Sequence, residues 1–324
     1  MPKKINVLIL PAGSGIAIAA INSLKEDKDI KVISADCDKL AAGLYLSYRG
    51  YIIPHFGDKK ILFAIEKIIK REKIDIIIPA LDTILIKFSK LKSLFEKKRV
   101  KVLISPPETV IITRDKWLTY QHLKEKVPFP KSFIEKEKLN INFPLFIKPR
   151  EGSGSKESYK INSKEELEFF FKKIDKPIIQ EYLEGKEYTV DCLADKEGKL
   201  LLTVCRQRIE IKSGISTKAR IVKNLKIDNI AQKISQELRF FGPFFFQVKE
   251  DSYKQPKVIE INARMAGTMS FSALAGINIH VLAVRMAMGE NIRINKKIHY
   301  GLYLTRYLKD ISIEDKKNKN IYYV

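Results

Sequence analysis

Residues 5–10 read Ile-Asn-Val-Leu-Ile-Leu, and Gly13-Ser14-Gly15 follows almost at once. A nearly unbroken apolar run suits a strand buried on both faces, the kind found in parallel sheets covered by helices on either side. The glycines mark a turn, and residues 16–24 then carry apolar side chains at helical spacing. A second strand over residues 30–35 ends at Asp36 and completes a strand–helix–strand unit. Asp36 lies about 20 positions beyond the glycines, as in dinucleotide folds. The third glycine of that fingerprint is missing, so the pattern supports a Rossmann-like layer better than it supports a dinucleotide. The alternation continues with strands at 51–54, 74–79 and 100–104 and helices at 60–71 and 84–96. Ser105-Pro106-Pro107 then punctuates the chain. Residues 1–106 therefore predict a parallel sheet with helices on both sides.

The texture changes beyond that boundary. A helix opens at Arg114-Asp115-Lys116-Trp117 and runs towards Lys126; a strand over 143–149 carries Lys148 just before its last proline, and a Gly/Ser loop fills 150–158. A helix at 164–173, strands at 177–183, 187–191 and 200–208, a helix at 227–238, strands at 244–249 and 257–262, and a mostly helical stretch at 270–290 follow. The overall class is α/β. No tandem repeat or low-complexity segment interrupts the 324 residues, which are enough for two or three units.

Composition removes several classes of function. At 45% hydrophobic and 30% charged, the chain has an ordinary globular make-up. No apolar run is long enough to span a membrane, and the basic start reads as a strand leading into a turn rather than a secretion signal. Cys37, Cys192 and Cys205 form neither a metal spacing nor a disulfide framework, which fits a reducing cytoplasm. Four histidines without close pairing argue against zinc. The net charge of +22 could draw nucleic acid, but the lysines are spread through helices among glutamates, with no arginine-rich tract. Nucleic acid is therefore not an expected partner.

The run Lys257-Val-Ile-Glu260-Ile-Asn262-Ala-Arg264 bears on chemistry. Residues two apart share a strand face, so Glu260, Asn262 and Arg264 should point one way and Ile259 and Ile261 the other. A half-buried surface strand would look the same. Alternatively, the Glu and Asn oxygens suit Mg²⁺, and the guanidinium suits a phosphate or an oxyanion. The loop after Lys148 lacks the GxxxxGK[ST] phosphate motif, yet backbone N–H groups in such a loop can wrap phosphates beside Lys148 and Lys156. Arg206 and Arg208 should share a strand face, either solvated or contacting an anion. Asp82, at the carboxyl end of a strand, is placed either to meet a ligand or to cap a helix. The aromatic run at 240–246 reads as core.

In their order along the chain, Lys116, Lys148 with its Gly/Ser loop, Gln180-Glu181-Tyr182-Leu183, Glu187, Arg206, Arg208, Gln247 and Glu260-x-Asn262-x-Arg264 resemble the ATP-grasp superfamily. The likeness is to the branch around the large subunit of carbamoyl phosphate synthetase and its stand-alone relatives, and it covers nearly the whole chain. It implies a Rossmann-like first domain (1–106), a small lobe with the mobile loop (107–183) and a large lobe with the metal site (184–324). It also implies that Lys116 and Lys148 hold ATP phosphates under a loop containing Ser153, Gly154 and Ser155. Glu181, Tyr182 and Leu183 would form the hinge that meets adenine through a carboxylate or carbonyl and a backbone N–H. Glu187 would bind the ribose. Gln247, Glu260 and Asn262 would hold Mg²⁺, with Mn²⁺ able to replace it, and Arg264, with Arg206 and Arg208, would meet the acyl-phosphate and substrate.

The implied reaction is ATP-dependent joining of a carboxylate to an amine, both small molecules, in a protein compatible with a homodimer. The alternatives are a phosphotransferase on the same fold, a non-catalytic ATP-binding protein and a nucleic-acid-binding protein. The sequence departs from the resemblance at Ala263, where proline is common, and at Gly214-Ile215-Ser216-Thr217, where the synthetase has His in place of Ser216. The second departure argues against bicarbonate chemistry.

Overall fold

The computed structural model describes residues 4–294, 297–313 and 320–324. The first domain alternates β1 (Ile5–Leu10), α1 (Gly15–Leu24), β2 (Ile30–Asp36), α2 (Ala42–Leu46), β3 (Arg49–Ile52), α3 (Ile61–Glu72), β4 (Ile76–Pro79), α4 (Asp82–Lys97) and β5 (Lys101–Val102). Its strands pair in parallel. β1 is buried on both faces: Leu8 and Leu10 pack into one core, Val7 and Ile9 into another, and all four are 0% exposed. Asp36 has a local task. Its carboxylate accepts the Gly13 and Asp38 N–H groups at 2.7 and 3.0 Å, fixing the turn before α1.

Two short helices, α5 (Pro107–Arg114) and α6 (Lys116–Leu123), lead into a four-stranded antiparallel sheet. That sheet is made of β6 (Ser132–Phe133), β7 (Leu145–Pro149), β8 (Tyr159–Ile161) and β9 (Pro177–Glu181), with α7 (Lys164–Lys173) packed against it. This lobe has a core of its own, built on Leu145, Ile147, Ile161, Leu167 and Ile179.

The large antiparallel sheet contains β10 (Glu187–Ala194), β11 (Leu200–Lys212), β12 (Ile215–Val222), β13 (Gly242–Glu250), β14 (Pro256–Asn262) and β15 (Tyr303–Thr305). α8 (Leu225–Glu237) joins β12 to β13. Unlike the small lobe, this sheet shares both of its cores with the first domain. Tyr188, Phe244 and Ile261 cluster with Leu8, and Val204, Phe245 and Met265 cluster with Val7.

The stretch 270–290 is mostly helical, as its pattern predicts, and is divided into two helices, α9 (Ser270–Leu274) and α10 (Ile279–Ala287). Gly276, at φ +102°, turns the chain between them, and Asn278 caps the second by accepting the Val281 N–H. The unit expected to run from 184 to 324 does not keep its last strand. β16 (Ile321–Tyr323) pairs in parallel with β3, at the edge of the first-domain sheet. No helix among the described residues is long and apolar enough to cross a membrane.

Candidate active site

β13 and β14 set Gln247 opposite Glu260, and Val248 opposite Val258. Glu260 and Val258 lie two positions apart, whereas their partners Gln247 and Val248 are adjacent, so Ile259 is the extra residue of a β-bulge. A bulge shifts the phase of a strand and re-aims its side chains. Val258 and Ile261 both enter the core while Ile259 and Glu260 both face the ligand side. Ile259 therefore does not point away with Ile261, as strict alternation predicts. It lines the nucleotide-sized cavity, and its carbonyl accepts the Lys148 ammonium at 3.0 Å.

That cavity, of about 530 Å³, lies between the small lobe and the large sheet. Lys116, Lys148, Glu187, Gln247, Glu260 and the loop 151–158 all line it. At its inner end, a slot walled by Phe146, Leu183 and Ile259 meets the backbone of Glu181 and Tyr182. The Glu181 carboxylate is already engaged: Lys257 pairs with one oxygen, and the Lys131 N–H donates to the other at 2.9 Å. What Glu181 can offer a ring edge is therefore its backbone. The Tyr182 ring is taken up between the ammonium groups of Lys160 and Lys249, 4.4 and 5.5 Å from its centroid.

Lys148 is buried, and that burial, with nearby Lys116, pushes its ammonium down to about 7, against the pull of Glu260 and Glu187. The root of the loop is tied by three consecutive residues. Arg114 pairs with Glu151 at 2.7 Å, Asp115 with Arg150, and the Lys116 ammonium donates to the Arg150 and Gly152 carbonyls. Gly152, Gly154 and Ser155 adopt positive φ, and turns of this kind can gather backbone N–H groups around an anion.

A second cavity, of about 270 Å³, adjoins the first, and Gln247, Glu260 and Ser153, Gly154 and Ser155 line both. Its other walls come from the first domain, at Ser14, Gly15 and Asp82, and from Arg208, Ser216 and Arg264 of the large lobe. Arg208 binds Glu187 at 2.8 Å and the Gly214 carbonyl at 2.7 Å, linking the two cavities. The Asn262 amide donates to Glu260 at 2.9 Å, which ties it to the expected carboxylate ligand, but Asn262 itself is buried and lines neither of these two cavities.

Among the described residues no cluster of three His, Cys, Asp or Glu side chains could hold a metal ion. One carboxylate with two amide oxygens is a hard, weakly charged donor set. It fits Mg²⁺, which takes its remaining ligands from phosphates and water, and it does not fit zinc.

Arg206 is a correction. It shares a face with Arg208, but it is 0% exposed and lines neither cavity. Its guanidinium grips Asp191 through two 2.8 Å hydrogen bonds, and Ser272 of α9 donates to the same carboxylate at 2.6 Å. This buried pair anchors α9 on the sheet. Asp191 itself lies inside β10, not at a strand end.

Comparison with known proteins agrees with this arrangement. Residues 173–307 match the family described as ATP-grasp in the biosynthetic pathway with Ter operon, and residues 7–103 match the PylC-like N-terminal domain. The chain is 26% identical to a D-alanine--D-alanine ligase of Petrotoga mobilis over 234 residues, covering 65% of this chain and 76% of the ligase. It is 25% identical to a carbamoyl-phosphate synthase of Methanobrevibacter smithii over 286 residues, covering 82% of this chain and 76% of the synthase. Among solved structures, the biotin carboxylase domain dimer of Hydrogenobacter thermophilus 2-oxoglutarate carboxylase, in complex with MgADP, ADP and bicarbonate, aligns with a TM-score of 0.74. That match has 17% identity over 94% of this chain and 74% of that one. Residues 173–307, whose Gln247 and Glu260 line the cavity between the two lobes, therefore carry an ATP-grasp domain, behind a first domain that matches the PylC-like N-terminal family.

Proposed function

We propose that the protein is an ATP-dependent carboxylate–amine ligase that forms an amide or peptide bond through an acyl-phosphate and releases ADP and phosphate. The observation that carries this reading is the meeting of the two cavities at Gln247 and Glu260. A nucleotide phosphate in the larger cavity and an acceptor carboxylate in the smaller one would face each other across those residues. The similarity to a D-alanine--D-alanine ligase and a carbamoyl-phosphate synthase supports the same class.

In this reading adenine enters the slot of Phe146, Leu183 and Ile259, and meets the backbone of Glu181 and Leu183. Glu187, already paired with Arg208, takes the ribose hydroxyls. Lys116, Lys148 and the loop at Ser153, Gly154 and Ser155 hold the phosphates. Gln247, Glu260 and Asn262 would hold Mg²⁺, with Mn²⁺ a substitute, and a bound ion would supply neutralisation of the phosphate charge. Arg264 faces the acceptor carboxylate and the oxyanion formed when the amine attacks. The chain supplies no nucleophile. It supplies position, charge and exclusion of water. The division at 106/107 and 183/184 describes these working parts, with residues 321–323 returning to the first.

The test is ADP release from Mg²⁺-ATP by the purified protein with pooled amino acids and small carboxylates. Pool-dependent release is expected in the wild type and its loss in Glu260→Ala. Release that needs one component but no amine would replace the ligase reading with a phosphotransferase.

A further inference from the structure

Arg264 lies two residues beyond the end of β14, where no strand ladder fixes its direction. Its guanidinium is nevertheless tightly held. Nε and Nη2 donate to the two oxygens of Asp82 at 2.5 and 2.7 Å, Nη1 donates to the Met265 carbonyl at 2.9 Å, and the group lies 5.1 Å from the centroid of the Phe245 ring. A guanidinium has five N–H bonds. These contacts use three and leave one on each terminal nitrogen.

Asp82 comes from the first domain, 182 positions earlier in the chain. It is the first residue of α4, whose N-cap position, Leu81, makes no side-chain cap. The Asp82 carboxylate turns to Arg264 instead of closing the helix end. Both side chains line the smaller cavity; Arg264 is 7% exposed and Asp82 26%. The Asp82 carbonyl also accepts Arg114 Nη1 at 2.9 Å, and Arg114 in turn binds Glu151 at the loop root. Burial works against the Asp82 charge, but Arg264 above all, with Arg114 and Lys116, holds the carboxyl below its usual range. The fork is therefore charged at neutral pH.

We infer that Asp82 is the positioning residue for Arg264: the first domain, through this carboxylate, aims the two remaining N–H bonds at the acceptor. The inference rests on the ligase reading for what Arg264 does, though not for where it points. A salt bridge that merely joined domains would have no need to occupy the wall of the acceptor cavity, nor to hold one edge of the guanidinium while leaving both terminal nitrogens a free N–H. Asp82 does both.

The experiment compares Asp82→Asn, Arg264→Lys and the double variant in the full chain. Asp82→Asn is expected to lower kcat for acceptor-dependent ADP release about 10- to 100-fold, with Mg²⁺-ATP affinity changed less than about twofold. In the Arg264→Lys background the same substitution should cost less than about twofold more, because a residue acting only through its partner shows no separate effect. Equal losses in both backgrounds, or an unchanged kcat, would overturn the proposal. Asp82→Glu keeps the charge and moves it by one methylene; it should give an intermediate loss and serves if the asparagine variant folds poorly.

A second readout does not need activity. In protein carrying isotope-labelled arginine, the Arg264 Nε–H signal, assigned by its absence in Arg264→Lys, should be shifted and slow to exchange, and should move to the position of free arginine in Asp82→Asn. If that signal is indifferent to Asp82, the positioning role is wrong. If it responds but no acceptor drives ADP release, the ligase reading fails and the positioning stands.

Discussion

Lys148 donates to the Ile259 carbonyl and lines the larger cavity with its ammonium pushed down to about 7. A bound triphosphate would draw the proton back. Below that pH the charge is already present; above it, binding must take up a proton, so affinity for Mg²⁺-ATP should fall by up to about tenfold per pH unit. Titrating Mg²⁺-ATP affinity from acid to alkaline pH should show that slope, and Lys148→Arg, always charged, should flatten it. The sign for stability runs the other way. Between about 7 and the ordinary lysine value of 10.5 the unfolded chain holds more protons than the folded one, so this site makes the ligand-free protein more stable as pH rises. The residues facing the larger cavity were readable from their order along the chain. Arg206 and Arg208 could not be told apart, because strand parity treats them alike, and only the cover of Ser272 and α9 separates them. Asp82 was equally ambiguous: a contact across 182 positions leaves no local trace.

At the scale of elements, local signals read well. α7 falls where its pattern places it, because Ser163 caps the Glu166 N–H while Glu166 reaches back to Asn162, a reciprocal pair written in adjacent residues. The bulge at Ile259 was not readable, since one extra residue looks like ordinary alternation until the partner strand is known. The β11–β12 hairpin also gains meaning only in three dimensions. Gly214 at its tip has φ +74°, and a Cβ there would sit 2.6 Å from the Gly154 backbone of the loop. Gly214→Ala should therefore push hairpin and loop apart. Tryptic cleavage after Lys156, in the presence and absence of a Mg²⁺-ATP analogue, checks this. The analogue should protect the wild type, and protection should be several-fold weaker in the variant; equal protection would show that the contact does not govern loop closure.

For the whole molecule, the distribution of cores separates what can move from what cannot. The four-stranded sheet of the small lobe carries its own apolar cluster and meets the large sheet through polar ties such as Lys257–Glu181 and Lys148–Ile259, whereas Val110 of α5 and Leu123 of α6 enter one of the two cores that the first domain and the large sheet share. Closure over a nucleotide should therefore be a motion of that four-stranded sheet. β15 and β16 were missed in the sequence because three-residue strands carry too little pattern to stand out. Tyr322 of β16 stacks on Tyr51 with centroids 5.4 Å apart, and Arg71 lies 4.4 Å from its ring, above the buried Glu72 that accepts Tyr51, Arg49 and Lys31. Tyr322→Ala should cost about 2 kcal/mol, seen as a melting temperature lowered by a few degrees with Mg²⁺-ATP affinity unchanged. An unchanged melting temperature would mean that the added strand contributes little.

The pairing of β16 with β3 also has a consequence in time. A ribosome adding about 5–20 residues per second finishes β3 early and delivers its outer neighbour only after the small and large lobes have been made. For tens of seconds the nascent first domain carries an open edge, with backbone donors and acceptors able to recruit a strand from another chain. Of the three sheets, the one begun first is the last to be completed.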